Sequence, residues 1–281
     1  MSNVHTRLSL VILGLVLSLT ISAVGRAAEP KDPRIINGSP SLEFPAVGQL
    51  LEYLAPGLPA SDGLGTCTLT LVGCSTAVTA AHCVCDPVNR IAGGADCQPG
   101  ASEAPDPSRF GAFFSTLGIR VITSIEVHPD YDPADNFDAD IAVLRLQLPV
   151  VGIRPMPVAL GDTPAPGTAG QIVGFGVGGA GTALGAPGIK RAGDVEVAAC
   201  GFTTVSQICT DFAEPLGQPG DNSAPCDADS GAPLLIESAG ALEVAGIASF
   251  HADEIGDCTP PSESHYIATA SVASFLETES G

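Results

Sequence analysis

The feature that most restricts the fold is a series of short apolar and β-branched runs separated by segments rich in glycine and proline. The runs occupy residues 69–72, 77–81, 119–127, 141–148, 171–175, 194–198, 233–236, 242–250 and 266–272. Runs of this length, with Gly and Pro between them, indicate strands joined by turns. We therefore expect an all-β protein, built as a sandwich or as a pair of barrels.

Long amphipathic helices are not expected, because charged residues make up only 15% of the chain while it contains 33 glycines and 24 prolines. One exception is the C-terminal segment 271–280, in which Val272, Phe275 and Leu276 have helical spacing. We predict a short terminal helix there.

The chain is strongly acidic, with 31 Asp and Glu against 11 Lys and Arg and a net charge of −20. Binding to nucleic-acid phosphates requires a basic surface, so we expect no nucleic-acid partner. Adhesion to anionic membranes is disfavoured for the same reason. The acidity is instead expected to keep an exported protein soluble.

The N-terminal segment has the pattern of a secretory signal. Arg7 precedes an apolar stretch over residues 8–24, and small residues follow, among them Ala27 and Ala28. This predicts a signal peptide over 1–27 with cleavage after Ala27, and a protein that is extracellular or periplasmic, with no membrane contact after signal removal. The stretch is long for a signal core, so an uncleaved membrane anchor is the alternative.

Nine cysteines follow the signal, and in an exported chain they predict disulfides. Because nine is an odd number, at least one thiol is unpaired or pairs between chains. The spacing of Cys83 and Cys85 also raises zinc binding, but no second closely spaced pair of cysteines accompanies it. We therefore expect no metal and no cofactor.

Three stretches carry the groups that nucleophilic acyl transfer requires, namely a hydroxyl, a base and an orienting acid. His82 lies among small residues next to a cysteine, and Ser230 is surrounded by small residues that leave room for a substrate. Asp140 opens an apolar run, but Asp138 has the same strand parity. Spacing alone leaves either carboxylate as the partner of His82.

These stretches resemble the signature motifs of the trypsin/chymotrypsin-like serine proteases. The motifs are Thr-Ala-Ala-His-Cys at 79–83, Asp-Ile-Ala-Val-Leu at 140–144 and Asp-Ser-Gly-Ala-Pro at 229–233, in the family's order. The resemblance extends from about residue 34 to the C-terminus. It implies two six-stranded Greek-key β-barrels, at about 35–150 and 151–270, and a terminal helix at about 271–280.

The same resemblance implies a role for each residue of the site. His82 is the general base, Asp140 rather than Asp138 orients it, and Ser230 is the nucleophile. The backbone N–H groups of Ala228 and Ser230 form the oxyanion hole.

A fourth motif, Arg-Ile-Ile-Asn-Gly at 34–38, resembles the family's activation site. It implies a propeptide over 28–34, cleavage after Arg34, and a new Ile35 ammonium that pairs with the buried carboxylate of Asp229. The protein would therefore be a zymogen that requires a separate activating protease.

The cysteines also match the family. The resemblance implies the bridges Cys67–Cys83, Cys200–Cys209 and Cys226–Cys258. For the three remaining cysteines we predict a Cys85–Cys97 bridge and a free Cys74.

Two departures from the family pattern matter. Ala228 replaces the usual glycine in the oxyanion loop, where an alanine forced into an unusual conformation costs about 1–3 kcal/mol. Ala224 replaces the acid that selects Arg or Lys at the floor of the primary pocket. We expect cleavage after small or medium uncharged residues. The predicted pocket and substrate-strand residues are Ala224, Pro225, Ser249, Phe250, His251 and Ser264.

An acidic residue before the scissile bond is the alternative, since a protonated His251 with Ser249 and Ser264 would receive a carboxylate. The predicted function is thus a secreted, monomeric serine endopeptidase acting on proteins or peptides. A catalytically weak or inactive binding module with a protease fold is the alternative. An α/β esterase is disfavoured, because the chain lacks a Gly-x-Ser-x-Gly elbow at Ser230.

Overall fold

The computed structural model describes residues 35–53, 63–85, 105–131, 138–176, 188–201, 206–252 and 258–280. The predicted signal peptide, the propeptide with Arg34, and Cys97 lie outside these ranges. Within them the chain folds into antiparallel strands with two short α-helices.

The first barrel contains six antiparallel strands in the order β2-β3-β4-β7-β6-β5, and it closes through pairing of β2 with β5. The elements of this half of the chain are β1 (Ser39–Pro40), β2 (Val47–Tyr53), β3 (Gly63–Gly73), β4 (Thr76–Thr79), α1 (His82–Cys85), β5 (Phe110–Phe114), β6 (Gly118–Val127) and β7 (Ala142–Leu146). Its interior is filled by fully buried side chains, among them Leu50, Leu69, Phe114 and Leu144.

The second barrel has the strand order β9-β10-β13-β12-β11-β8 and closes through pairing of β8 with β9. Its elements are β8 (Ala169–Gly174), β9 (Arg191–Ala198), β10 (Gln207–Phe212), β11 (Pro233–Ser238), β12 (Ala241–Ala252) and β13 (Ser262–Ala268), followed by the helix α2 (Ala273–Ser280). The predicted fold of two six-stranded β-barrels with a short C-terminal helix is confirmed. In the described part of the chain, no helix is both long and apolar enough to cross a bilayer.

The N-terminal segment joins the second barrel, whereas the sequence-based boundary placed it in the first. Strand β1 pairs with β9, and Ile36 forms a two-way backbone bridge with Ala224. The physical reason is burial, because Ile35 is fully buried among the apolar residues that fill the second barrel.

The disulfides agree with the predicted pairing. All three expected bridges are present: Cys67–Cys83, Cys200–Cys209 and Cys226–Cys258. Cys74 is free and exposed, as predicted. Cys85 is also disulfide-bonded, and its predicted partner lies outside the described residues.

Candidate active site

The pairing of two strands of the first barrel brings His82 and Asp140 together. Strand β4 ends at Thr79, which pairs with Ala142 at the start of β7. In an antiparallel pair the end of one strand lies beside the start of the next. The residues that follow β4 and those that precede β7 therefore meet at one end of the barrel, and these residues include His82 and Asp140.

The Asp140 carboxylate is fully buried and bonded on both oxygens. Its Oδ2 lies 2.7 Å from His82 Nδ1, and its Oδ1 accepts a hydrogen bond of 2.8 Å from the His82 backbone N–H. The hydroxyl of Ser249 also donates to Oδ2. Three donors converge on this carboxylate. It therefore holds the proton of the imidazole on Nδ1 and leaves Nε2 as the nitrogen able to accept one.

Asp138, which the spacing left as a rival, points elsewhere. Its Oδ1 accepts a hydrogen bond of 2.5 Å from Ser206, in the segment before β10. Ala139, between the two carboxylates, has a positive φ of 53° and so turns the backbone at this position. Of the two candidates, the structure brings only Asp140 to the imidazole.

The turn that carries Ser230 packs against the strands next to His82. The Ser230 carbonyl accepts a hydrogen bond of 2.8 Å from the Thr68 backbone N–H in β3. Gly231 adopts a φ of 83°, and a Cβ there would lie 2.2 Å from Thr68 O and 2.3 Å from Thr79 Oγ1. Only glycine permits this approach, which places the Ser230 turn beside the end of β4 that leads to His82.

Ala228 has the unusual backbone conformation that its glycine-like position predicts. Its φ is 66°, in the left-handed region that costs an alanine about 1–2 kcal/mol. The side-chain hydroxyl of Thr68 donates to its carbonyl at 3.3 Å. The loop thus holds a strained alanine where its N–H would contribute to an oxyanion hole.

Asp229 is fully buried and enclosed by backbone donors. Its carboxylate accepts hydrogen bonds from the N–H groups of Gly176, at 2.7 Å, and Cys226, at 3.1 Å, and from Ile35. Burial raises the pKa of Asp229 to about 7, although the three donors oppose the shift. The residue predicted to receive the Ile35 ammonium therefore already contacts Ile35.

The geometry agrees with a comparison of the sequence. The sequence model of the Trypsin family matches residues 58–276, well over half of the chain. The protein belongs to the trypsin family. A comparison with curated proteins found no match. The matched range contains His82, Asp140 and Ser230, so the chain has a trypsin-like serine protease domain.

Two residues of the predicted trypsin-like pocket are buried. Ala224 is 1% exposed, and Pro225 is buried beside it. Ser264 is fully buried, and its Oγ has no hydrogen-bond partner among the described residues. Its cross-strand partner is His251, whose Nε2 lies 3.5 Å from the sulfur of Cys258. The imidazole is thus directed at the Cys226–Cys258 disulfide.

The contact between Ser249 and Asp140 at this trypsin-family site was not predicted from the sequence. Ser249 was predicted to belong to the strand that binds the substrate backbone, and its side chain in addition donates a hydrogen bond to Asp140. The two residues lie 109 positions apart. No local pattern in the sequence reports such a contact, although the position of Ser249 in an apolar run did predict a buried strand.

Two clusters in the described part of the chain have the spacing of metal ligands, Cys67-His82-Cys83 and Cys200-Cys209-His265. In each cluster both sulfurs belong to one disulfide. A zinc ligand must be a thiolate, so neither cluster is a candidate metal site in the oxidised protein.

Proposed function

We propose that this protein is a secreted serine endopeptidase, made as a zymogen, with Ser230 as nucleophile, His82 as general base and Asp140 as orienting acid. The observation that carries the proposal is the buried Asp140 carboxylate bonded to His82 Nδ1, beside the turn that carries Ser230. Secretion is supported by the disulfides and by the signal pattern of residues 1–27.

In the proposed reaction, Ser230 Oγ attacks the carbonyl carbon of the scissile peptide while His82 Nε2 takes the hydroxyl proton. The N–H groups of Ala228 and Ser230 stabilise the oxyanion of the tetrahedral intermediate. His82 then protonates the departing amine, which leaves an acyl-enzyme that water hydrolyses by the same steps. Asp140 stabilises the imidazolium, and the hydroxyl of Ser249 helps to hold the Asp140 carboxylate in place.

Activation would follow cleavage after Arg34. This cleavage converts the Ile35 amide, which already contacts Asp229, into an ammonium group. A buried carboxylate is far more stable beside a cation than beside neutral donors. The new ion pair would stabilise the 226–231 turn and therefore the oxyanion hole.

The primary pocket favours a small or medium uncharged side chain. Ala224 offers neither charge nor bulk at this position. An acidic side chain is less well supported, because His251 is directed at a disulfide. An enzyme of this preference does not cleave after its own Arg34, so a separate protease of trypsin-like specificity would activate it.

The test is labelling with a fluorophosphonate probe before and after cleavage at Arg34, with Ser230→Ala as control. We expect labelling of the cleaved form only, and none of Ser230→Ala. Asp140→Asn should slow labelling by about 10³-fold or more, because it removes the acceptor that fixes the imidazole tautomer. The matched variant Asp138→Asn should label at the wild-type rate.

A second candidate function is a binding module with a disabled oxyanion hole, which the strained Ala228 favours. Absence of labelling in correctly folded, cleaved protein would contradict the enzyme proposal and support this alternative. Labelling that also occurs without cleavage would contradict the zymogen and leave the triad assignment intact.

A further inference from the structure

A buried histidine lies directly behind the aromatic residue of the predicted substrate strand. His265 in β13 is the cross-strand partner of Phe250 in β12. The two rings stack almost in parallel, with centroids 4.2 Å apart and an angle of 7° between their planes. His265 is fully buried, whereas Phe250 is only partly buried. The imidazole therefore forms the inner support of the phenyl ring.

The imidazole is itself held on both nitrogens. Nδ1 lies 2.9 Å from Oε1 of Gln207 in β10, and Nε2 lies 2.7 Å from Oε1 of Glu263. The other carboxylate oxygen of Glu263 accepts a hydrogen bond of 2.8 Å from the Gly201 N–H. Together with the attachment of the ring at Cβ, these two contacts restrict the plane of the imidazole, against which the Phe250 ring stacks.

A polar group at this depth has a cost that an aliphatic side chain would not have. Burial lowers the pKa of His265, and the Glu263 carboxylate opposes the shift. A leucine in place of His265 would fill the same space, but its side chain is flexible and has no flat face. The imidazole instead provides a flat surface that stacks on the phenyl ring.

Phe250 occupies a position from which its orientation affects substrate binding. It follows Ser249, whose hydroxyl bonds to Asp140. Under the proposed function, on which this step rests, the segment 249–251 pairs with the substrate backbone. A side chain upstream of the scissile bond then lies against the outer face of Phe250. Because the phenyl ring is apolar, we expect an aliphatic or prolyl substrate side chain to pack best against it.

We propose that His265 is a positioning residue that sets the plane of Phe250 and thereby determines the affinity for substrates with an apolar side chain upstream of the scissile bond. His265 touches neither the substrate nor the reacting atoms. Its effect is therefore on KM of extended substrates rather than on kcat.

The test compares an extended and a minimal substrate on the cleaved enzyme, succinyl-Ala-Ala-Pro-Ala p-nitroanilide and acetyl-Ala p-nitroanilide. For His265→Leu we expect KM of the extended substrate to rise about tenfold, with kcat and KM of the minimal substrate close to wild type. The flat ring in His265→Phe should restore part of the loss. Gln207→Leu, which keeps the stack and removes one contact, should give a smaller rise in the same direction.

The matched control is His128→Leu, which removes a second histidine–phenylalanine contact, with Phe275 at 4.8 Å, outside the proposed site. It should leave KM of both substrates unchanged. Equal effects of His265→Leu on both substrates, a parallel loss of kcat, or no effect would overturn the proposal. If His265→Leu does not fold, Gln207→Leu decides. A rise in KM of the extended substrate alone supports the proposal, and any other result overturns it.

A binding measurement distinguishes failure of the proposed function from failure of the proposed role of His265. It uses the peptide Ala-Ala-Pro-Ala-Ala-Ala and the Ser230→Ala variant. This affinity does not require catalysis. If wild-type protein neither labels nor cleaves, weaker peptide binding by Ser230→Ala/His265→Leu than by Ser230→Ala still supports the role of His265. Equal affinity, or no binding to either protein, overturns it.

Discussion

At the scale of single residues, Ala228 is a position where the side chain is at odds with the backbone conformation. Its φ of 66° lies in a region that glycine occupies at no steric cost. The same residue would supply an oxyanion N–H under the proposed function. Relief of its strain should therefore be visible both in stability and at the site.

We predict that Ala228→Gly raises the free energy of unfolding by about 1 kcal/mol, because relief of the strain exceeds the entropy that glycine adds to the unfolded chain. We also expect the cleaved enzyme to label several-fold faster with a fluorophosphonate, since the N–H is freer to align with the oxyanion. Chemical denaturation and labelling kinetics measure the two effects.

A matched variant separates these effects. Ala239, in the exposed turn between β11 and β12, has a φ of 49°. Ala239→Gly should stabilise the protein to a similar extent and leave labelling unchanged. If both variants accelerate labelling equally, the strain at Ala228 has no specific effect on the oxyanion hole.

Residue-level prediction from sequence succeeded where a motif fixes local geometry. The glycine-like position of Ala228 and the carboxylate of Asp140 are both motif positions, and the structure shows the expected conformation of the first and the contact between Asp140 and His82. The contacts of Ser249 and His265 were not predicted, because each is made between strands whose register only the folded barrel determines.

At the scale of structural elements, Gly231 brings the Ser230 turn of the second barrel into close contact with strands β3 and β4 of the first. This contact depends on the absence of a side chain at Gly231, since a Cβ would meet Thr68 O and Thr79 Oγ1 at less than 2.5 Å. One of these atoms belongs to the backbone and cannot move independently. Any larger residue must therefore displace the whole turn.

We predict that Gly231→Ala lowers labelling of the cleaved enzyme by about 10²-fold or more, because a displaced turn misplaces both the nucleophile and the oxyanion donors. The control is Gly240→Ala. Gly240 has a nearly identical φ, 81° against 83°, but open space around its Cβ position. It should cost about 1–2 kcal/mol of stability and leave labelling unchanged. Similar labelling by the two variants would show that backbone strain, and not the close contact, limits Gly231.

Prediction of the elements was most complete for the longer apolar runs. Strands β6, β7 and β12 coincide with runs found in the sequence. Strands β2, β5 and β10 were not among those runs, because Gly, Gln, Asp and Thr interrupt them, as in Phe-Gly-Ala-Phe-Phe of β5. In a closed barrel such residues are paired by both neighbours and packed from inside, which compensates for their weak local preference.

At the scale of the whole molecule, the contact between Ile35 and Asp229 connects the N-terminal segment to the 226–231 turn. In the uncleaved chain Ile35 offers a neutral amide, and burial raises the pKa of Asp229 from 3.8 to about 7. Between these two values the native state holds a proton that the unfolded state releases. The free energy of unfolding should therefore fall as pH rises through this window.

We predict a fall of roughly 1.4 kcal/mol per pH unit from this group between about pH 4 and pH 7 in the uncleaved protein. After cleavage, the Ile35 ammonium stabilises the carboxylate and lowers the Asp229 pKa, so this contribution disappears or reverses sign. Guanidinium unfolding of both forms across this pH range measures the difference.

Asp229→Asn isolates the contribution of this carboxyl group, since its amide cannot titrate. The uncleaved variant should therefore lack the fall in the free energy of unfolding. A fall that persists in this variant would assign the pH dependence to other groups, and equal slopes in the cleaved and uncleaved wild-type protein would contradict the pairing of Ile35 with Asp229 on activation.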